Sequence, residues 1–488
     1  MSARFQLPAP FAGKSVATGL FIGGQWLAAA KSFEVINPAN GGVLTAVADG
    51  DEADALAALD EAAKAGPGWA ATPPRKRSEI LRACYAKIVA AADWLAFLIS
   101  LENGKALGDA KSEILYAADF FRWFSEEAVR LNGEMSMAPG GTNRILVQYQ
   151  PIGPSFLVTP WNFPAAMAAR KIAPALAAGC TMVLKPAPET PLTALAIAQI
   201  MAEAGVPPGV VNVVPTTAAP EMAKKLLHDP RLRKLSFTGS TPVGRWLLRE
   251  AADQVISCSM ELGGNAPFIV CDDAKLSEAL DGAMIAKMRN GGEACTSANR
   301  FYVQRGIYKA FTDGMVERMG KLKLGDGTDP ETILGAMINQ KGVDKIAELV
   351  DDALAKGGKL LLGGTRLNRP GFFYPPTVIA DVPDNARLLK EEIFGPVAAL
   401  QAFDSDEEAI AKANNTEYGL AANLYTGDLK RGLAISERLE AGMVGLNRGL
   451  VSDLAAPFGG VKQSGLGREG SHFGMLEFTE VKYIAASW

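Results

Sequence analysis

From residue 153 to residue 262 short apolar runs alternate with stretches of helical period, and this alternation restricts the fold more than any other feature. "PSFLVTP" precedes the helical "AAMAARKIAPALAAG", "TMVLKP" precedes "TPLTALAIAQIMAEAG", and "GVVNVVP" precedes "APEMAKKLLHD". "KLSFTG" then runs into "PVGRWLLREAA", and "VISCSMEL" closes the series. Strands this short, each followed by a helix, predict a doubly wound α/β sheet with parallel strands. Ligands of such sheets bind beyond the carboxyl ends of the strands. Those ends carry Trp161 and Asn162, Lys185, Gly239 and Ser240, and Glu261.

A second α/β series follows. "APFIVCDD" precedes a helical "LSEALDGAMIAKMRN", then come "RFYVQ", another helix, and strands around "FFYPPTVIADV" and "GPVAALQAF". Two such units predict a cleft between them, where a site would form. Upstream, residues 50–133 are rich in helix formers, and "TNRILVQY" at 142–149 reads as a strand. The sequence has no internal repeat and no low-complexity tract.

Composition removes several classes of function. Apolar residues make up 48% and charged residues 21%, ordinary for a globular protein with large cores. A net charge of −4 leaves no broad basic face for nucleic acid. No stretch reaches the about 18 uninterrupted apolar residues of a membrane span. Pro8, Pro10 and Lys14 break the N-terminal stretch, so no secretory signal is expected. The five cysteines, Cys84, Cys180, Cys258, Cys271 and Cys295, form no C-x-x-C pair. Neither a zinc site nor a disulfide framework is expected, and the chain reads as reduced and cytoplasmic. His228 and His472 are the only histidines and lie far from the cysteines in sequence. That disfavours a metal hydrolase, a Cys–His protease and a Ser–His–Asp esterase.

Four places suggest chemistry, each with a plainer alternative. Cys295 stands in "MRNGGEACTSANRF", either as a buried structural thiol, the usual fate of a free cysteine, or as a nucleophile. In "SFTGSTPVG" a glycine turn joins a strand to a helix with Pro242 in its first turn. Ser240 or Thr241 can cap that helix, and its free N–H groups suit an anion such as a pyrophosphate. An ordinary capped helix explains the stretch equally. Lys185 in "LKPAPETP" is either a surface lysine or a ligand for ribose hydroxyls or phosphate. Glu261 in "MELGGNAP" is followed by two glycines that leave room for a ligand. Partial burial there would raise its carboxyl towards neutrality and suit a general base; helix capping or a salt bridge is the alternative.

"VTPWNFPAAM", "LKPAPETP", "FTGSTPVG", "MELGGNAP", "GGEACTSANR", "EEIFGPV" and "APFGGVKQSGLGREG" occur in this order and span nearly the whole chain. Together they resemble the aldehyde dehydrogenase superfamily. The resemblance implies an α/β fold with a Rossmann-type NAD(P)-binding domain at 1–137 and 153–262. It also implies an α/β catalytic domain at 263–463 and a β oligomerisation arm at 138–152 and 474–488. By the same resemblance Cys295 is the nucleophile that attacks the aldehyde carbon. The Asn162 amide and the Cys295 backbone N–H would hold the oxyanion. Glu261 would activate water to hydrolyse the thioester. Acylating relatives that use coenzyme A generally lack this glutamate, so a free acid is the expected product. Glu392 would bind the nicotinamide ribose, with Trp161, Lys185, Gly239, Ser240 and Leu262 as further cofactor contacts. The glycines around Cys295 would let a carbonyl and a cofactor come close.

Within the superfamily, "RKIAPALAAGCTMVLKPA", "ELGGNAPFIV" and "FGGVKQSGLGREGS" are similar to the succinate-semialdehyde dehydrogenases. Arg170, Arg289 and Ser452 match the positions that bind the substrate carboxylate in that group. Two guanidinium groups beside a hydroxyl make a good carboxylate receptor. Either arginine alone could equally pair with a protein acid. A glutarate-semialdehyde or broad aliphatic aldehyde dehydrogenase is the alternative within the class. A cofactor-free thiol esterase and a non-catalytic binding protein are the alternatives outside it.

Three positions depart from the family's usual pattern. Many of these enzymes carry a second cysteine two residues after the nucleophile; here that place is Ser297, so no redox switch is expected. Glu293 replaces the usual glutamine, either as a solvated loop charge or as a change that alters activity. Pro188 stands where NAD-selective relatives have a glutamate, so NADP+ is expected to be accepted with NAD+ also usable. The strand at 142–150 and "EFTEVKYIAASW" resemble the superfamily's pairing segment, implying a homodimer or homotetramer.

Overall fold

The computed structural model of the chain describes residues 3–488; Met1 and Ser2, the start of both the N-terminal stretch and the expected cofactor domain, lie outside the described residues. The alternating segment builds the centre of an eight-stranded sheet. Its order is Gly465–Leu466, Ser257–Glu261, Lys234–Thr238, Ser155–Val158, Met182–Lys185, Val211–Val213, Leu20–Ile22, Gln25–Leu27. The inner strands, from Ser257–Glu261 to Val211–Val213, are parallel. Counted in chain order those parallel strands lie 3-2-1-4-5, so the order reverses beside Ser155–Val158. The crevice past that strand's carboxyl end, at residues 159–162, is therefore the predicted ligand position.

Alternation within each strand divides two cores. Leu157, Met182 and Leu184 face one, with helices Pro164–Ala178 and Pro191–Glu203. Phe156, Val158 and Val183 face the other, with Ala219–Leu227 and Thr241–Ala252. Both sheet faces are covered, which is why the strands read as unbroken apolar runs. Every residue of Pro164–Ala178 is buried, and its many alanines allow close packing on Leu107–Glu127.

The second series forms a seven-stranded sheet: Lys359–Leu362, Thr377–Ala380, Val397–Phe403, Ala298–Gln304, Ala266–Val270, Ala421–Tyr425, Met443–Leu446. It is parallel except for the antiparallel pair at its Lys359–Leu362 edge. Pro267, which has no N–H to give, coincides with a register shift against Ala298–Gln304. A third, antiparallel sheet of Thr479–Ala486, Arg144–Pro151 and Glu134–Met137 carries exposed Met135, Val481 and Tyr483. Among the described residues no single helix is long and apolar enough to cross a membrane.

Candidate active site

A cleft of about 990 Å³ runs along the carboxyl rim of the eight-stranded sheet and takes in the loop after helix Leu276–Met288. That loop turns sharply. Asn290 has φ +53 and Gly292 φ +80, and a Cβ on Gly292 would collide with the Gly395 carbonyl. Asparagine tolerates this left-handed backbone, and Asn290 Nδ2 donates at 3.0 Å to the carbonyls of both Asn162 and Glu293. The loop thereby brings Cys295 half-buried into the cleft wall, which removes the structural-thiol reading. Burial pushes its thiol up to about 12; Arg170 and Arg289 pull it down, Glu261 and Glu392 push it up. A nucleophile in this setting needs a base to take its proton.

Asn162 is held through its backbone carbonyl and one amide hydrogen, while its Oδ1 has no partner in the protein. Its carbonyl accepts from Lys105 Nζ at 2.6 Å, and its Nδ2 donates to the Glu293 carbonyl at 3.0 Å. The amide keeps a second hydrogen that can be offered to an oxyanion.

Glu261 is 3% exposed, and neither carboxylate oxygen has a hydrogen-bond partner in the protein. The helix-capping and salt-bridged alternatives therefore fall. Burial raises its carboxyl well above the ordinary range and the charge of Glu469 adds to this, while Lys171 and Arg170 oppose. Of the two glycines after it, Gly263 lines the cleft, in keeping with the expected room for a ligand, and Gly264 serves differently. A Cβ on Gly264 would collide with the Cys295 carbonyl, so this glycine seats the nucleophile loop rather than a ligand.

Further along the rim lie groups that fit a dinucleotide. Helix Thr241–Ala252 starts at the rim with Pro242 in its first turn. Ser240 holds the cap position, but its hydroxyl makes no capping bond, and Thr241 Oγ accepts instead from Gly263 N at 3.3 Å. The expected side-chain cap is thus absent, leaving the first N–H groups to an anion. Lys185 is buried at the cleft, not on the surface. Burial lowers its ammonium to about 8, with Glu189 acting against this. Gly239 and Leu262 line the same wall, and a Cβ on Gly239 would run into the Phe237 ring. Pro188 is half-buried and does not line the cleft. Opposite, Glu392 accepts from Gly264 N at 3.0 Å, its carboxyl raised by burial. Trp161 meets Phe394 edge-on at 5.4 Å. Phe394 has φ +59, a strained backbone for a bulky residue, and such strain gathers at functional sites.

Arg170, Arg289 and Ser452 also line this cleft. Arg170 answers both readings at once. Its Nη1 lies 3.6 Å from Glu469, its Nη2 reaches Ser452 Oγ at 3.3 Å, and its Nε has no partner. Arg289 lies over the Phe163 ring at 5.1 Å, and burial lowers its pKa. Glu293 is 3% exposed, accepts from Ile338 N at 3.2 Å and is pushed up to about 8 by burial, so the solvated-charge reading was wrong.

Five contributors were missed in the sequence. Lys105 pairs with Glu113 at 2.6 Å, Glu469 pairs with Lys171 at 2.6 Å, and Tyr116 faces the cleft. Glu113 and Tyr116 stand three apart on the mostly apolar face of this helix, the one local sign available. Nothing local marks Glu469.

A model of the aldehyde dehydrogenase family matches residues 26–484. A succinate-semialdehyde dehydrogenase of Paenarthrobacter nicotinovorans is 53% identical over 442 residues, covering 91% of this chain and 98% of the relative. A glutarate-semialdehyde dehydrogenase of Pseudomonas putida is 47% identical over 469 residues, 96% of this chain and 97% of its own. A crystallised NADP-dependent enzyme of E. coli superposes with a TM-score of 0.96 at 47% identity, covering 97% of this chain and 98% of that one.

Proposed function

The chain belongs to the aldehyde dehydrogenase family and oxidises an aldehyde to its acid; from that premise we propose succinate semialdehyde as the substrate, with NAD(P)+ as oxidant. The observation that carries the substrate is the meeting of Arg170, Arg289 and Ser452 in the cleft that holds Cys295. A relative that acts on glutarate semialdehyde supports the longer homologue as second reading.

Cys295 is the nucleophile, Asn162 the oxyanion donor and Glu261 the base. Glu261, made a stronger base by burial, takes the thiol proton. The sulfur bonds to the aldehyde carbon, and the carbonyl electron pair moves to oxygen. Asn162 Nδ2 and the Cys295 N–H hold the resulting oxyanion, a contribution worth about 10²–10³ in rate for one donor. NAD(P)+ held at the cleft rim would supply the hydride acceptor, and as the hydride leaves the substrate carbon the oxyanion's electron pair returns to form the thioester on Cys295. Glu261 releases that first proton to solvent and then takes one from the water that attacks the thioester; the carbon–sulfur bond breaks, releasing the acid and the Cys295 thiolate, which takes the proton back from Glu261.

Trp161, Gly239, Ser240, Leu262 and Glu392 line the cleft beside Lys185 and would hold the dinucleotide there. Among the described residues Lys185 forms no ion pair, with only the more distant charge of Glu189 acting on it, and Pro188 presents no carboxylate, which supports acceptance of a 2′-phosphate. A division into a cofactor domain (1–137 and 153–262), a catalytic domain (263–463) and an arm (138–152 and 474–488) is supported by the three larger sheets, although Glu134–Met137 of the three-stranded sheet and Gly465–Leu466 of the eight-stranded sheet fall outside those bounds. A cytoplasmic setting is supported by five free cysteines, and a homodimer or homotetramer by the exposed apolar arm.

Kinetics with succinate semialdehyde, glutarate semialdehyde, butanal and pentanal, each with NAD+ and NADP+, test this reading. The semialdehydes should exceed the neutral aldehydes in kcat/KM by about tenfold to a hundredfold, the worth of a charged hydrogen bond. Neutral aldehydes outperforming both semialdehydes would overturn the substrate, and a thousandfold preference for NAD+ the cofactor reading.

A further inference from the structure

Among the polar side chains of the cleft, the hydroxyl of Tyr116 has no role in the chemistry above. It sits 2.8 Å from Ser452 Oγ and accepts from Arg170 Nη2 at 3.0 Å. Its ring is held edge-on against Phe120 at 4.9 Å, which aims the hydroxyl. Tyr116, Arg170, Arg289 and Ser452 all line the one cavity.

We propose that Tyr116 is a specificity-determining residue whose hydroxyl binds the distal carboxylate of the substrate, completing a receptor with Arg170, Arg289 and Ser452. This rests on the carboxylated-aldehyde reading above. A phenol has one donor hydrogen and two acceptor lone pairs. Arg170 occupies one lone pair, so the hydrogen is what Tyr116 has to offer. In the free protein its neighbour is Ser452 Oγ, a neutral hydroxyl that can turn to donate instead. A carboxylate is the stronger acceptor, because a charge-assisted bond is roughly twice as strong as a neutral one. The hydroxyl thus passes its donated bond to the substrate while still accepting from Arg170, and no group in the receptor loses a partner. A neutral chain of equal length gives these dipoles nothing to bond and displaces whatever satisfies them. Tyr116 accordingly selects against uncharged aldehydes as well as for the acid.

Wild type and Tyr116→Phe are compared on succinate semialdehyde and on butanal, which has the same number of carbons and no charge. NADP+ binding, followed by tryptophan fluorescence, checks the fold. The expected result is a tenfold to hundredfold fall in kcat/KM for succinate semialdehyde, mostly in KM, with butanal within twofold of wild type. Equal falls for both substrates with NADP+ binding intact, or a semialdehyde change under threefold, would overturn the proposal. If the phenylalanine variant loses NADP+ binding, Tyr116→Gln carries the same comparison. A wild type that prefers butanal removes the carboxylate reading itself, a failure distinct from that of Tyr116.

Discussion

Glu261 carries at the residue scale the conflict that drives the chemistry. Water would keep this carboxyl ionised, and its buried surroundings favour the neutral acid. Below its raised pKa the group holds its proton and cannot act as base, so kcat should rise with pH to a midpoint clearly above that of a free glutamate. A pH profile flat from 5 to 9 would contradict this. Glu261→Gln should lose about 10²–10⁴ in kcat. The burst of reduced cofactor in its first turnover should slow with it, visible by stopped-flow absorbance, because the Cys295 thiol then keeps its proton and the thioester forms slowly. The placing of Asn162 and Glu261 at strand ends and of Cys295 in a glycine-bounded loop was legible in the sequence, and their roles came from the family resemblance. The groups that tune them were not. Lys171 meets Glu469 across 298 positions of chain, and Tyr116 reads locally as one more helix residue. Glu293 could be read either as a solvated loop charge or as a change that alters activity, and its burial against the Ile338 N–H comes from a residue 45 positions away.

At the scale of elements, the oxyanion donor depends on a helix start. Glu113 Oε1 accepts from Ala165 N at 2.8 Å and Ala166 N at 3.2 Å, capping Pro164–Ala178 from another helix. Its second oxygen pairs with Lys105, whose Nζ also holds the Asn162 carbonyl. The pair is almost wholly buried, so removing one partner strands a charge and costs about 3–5 kcal/mol. Lys105→Met should lower the thermal midpoint and slow single-turnover hydride transfer together. Unchanged transfer would mean Asn162 does not rely on this anchor. The parallel strands of 153–262 were legible from their apolar runs. The additions at the sheet margins were not: Leu20–Ile22 joins through the single pairing Val213–Phe21, and Gly465–Leu466 is too short to show a pattern.

For the whole molecule, the three-stranded arm leaves Val481 63% and Tyr483 58% exposed, more apolar surface than a lone sheet should show to water. Replacing both by glutamate should reduce the assembly mass seen by sedimentation velocity while the chain stays folded; an unchanged mass would remove the arm as the pairing surface.

Gly465–Leu466 pairs with Ser257–Glu261, and the segment after it delivers Glu469 to Lys171 and Glu477 to Lys234. During translation those partners leave the ribosome last. Until they arrive, the strand bearing the base is a bare edge, and two interior ammonium groups await their acids. A messenger cut short before Gly465 therefore yields a polypeptide for the degradation machinery, never a slower catalyst.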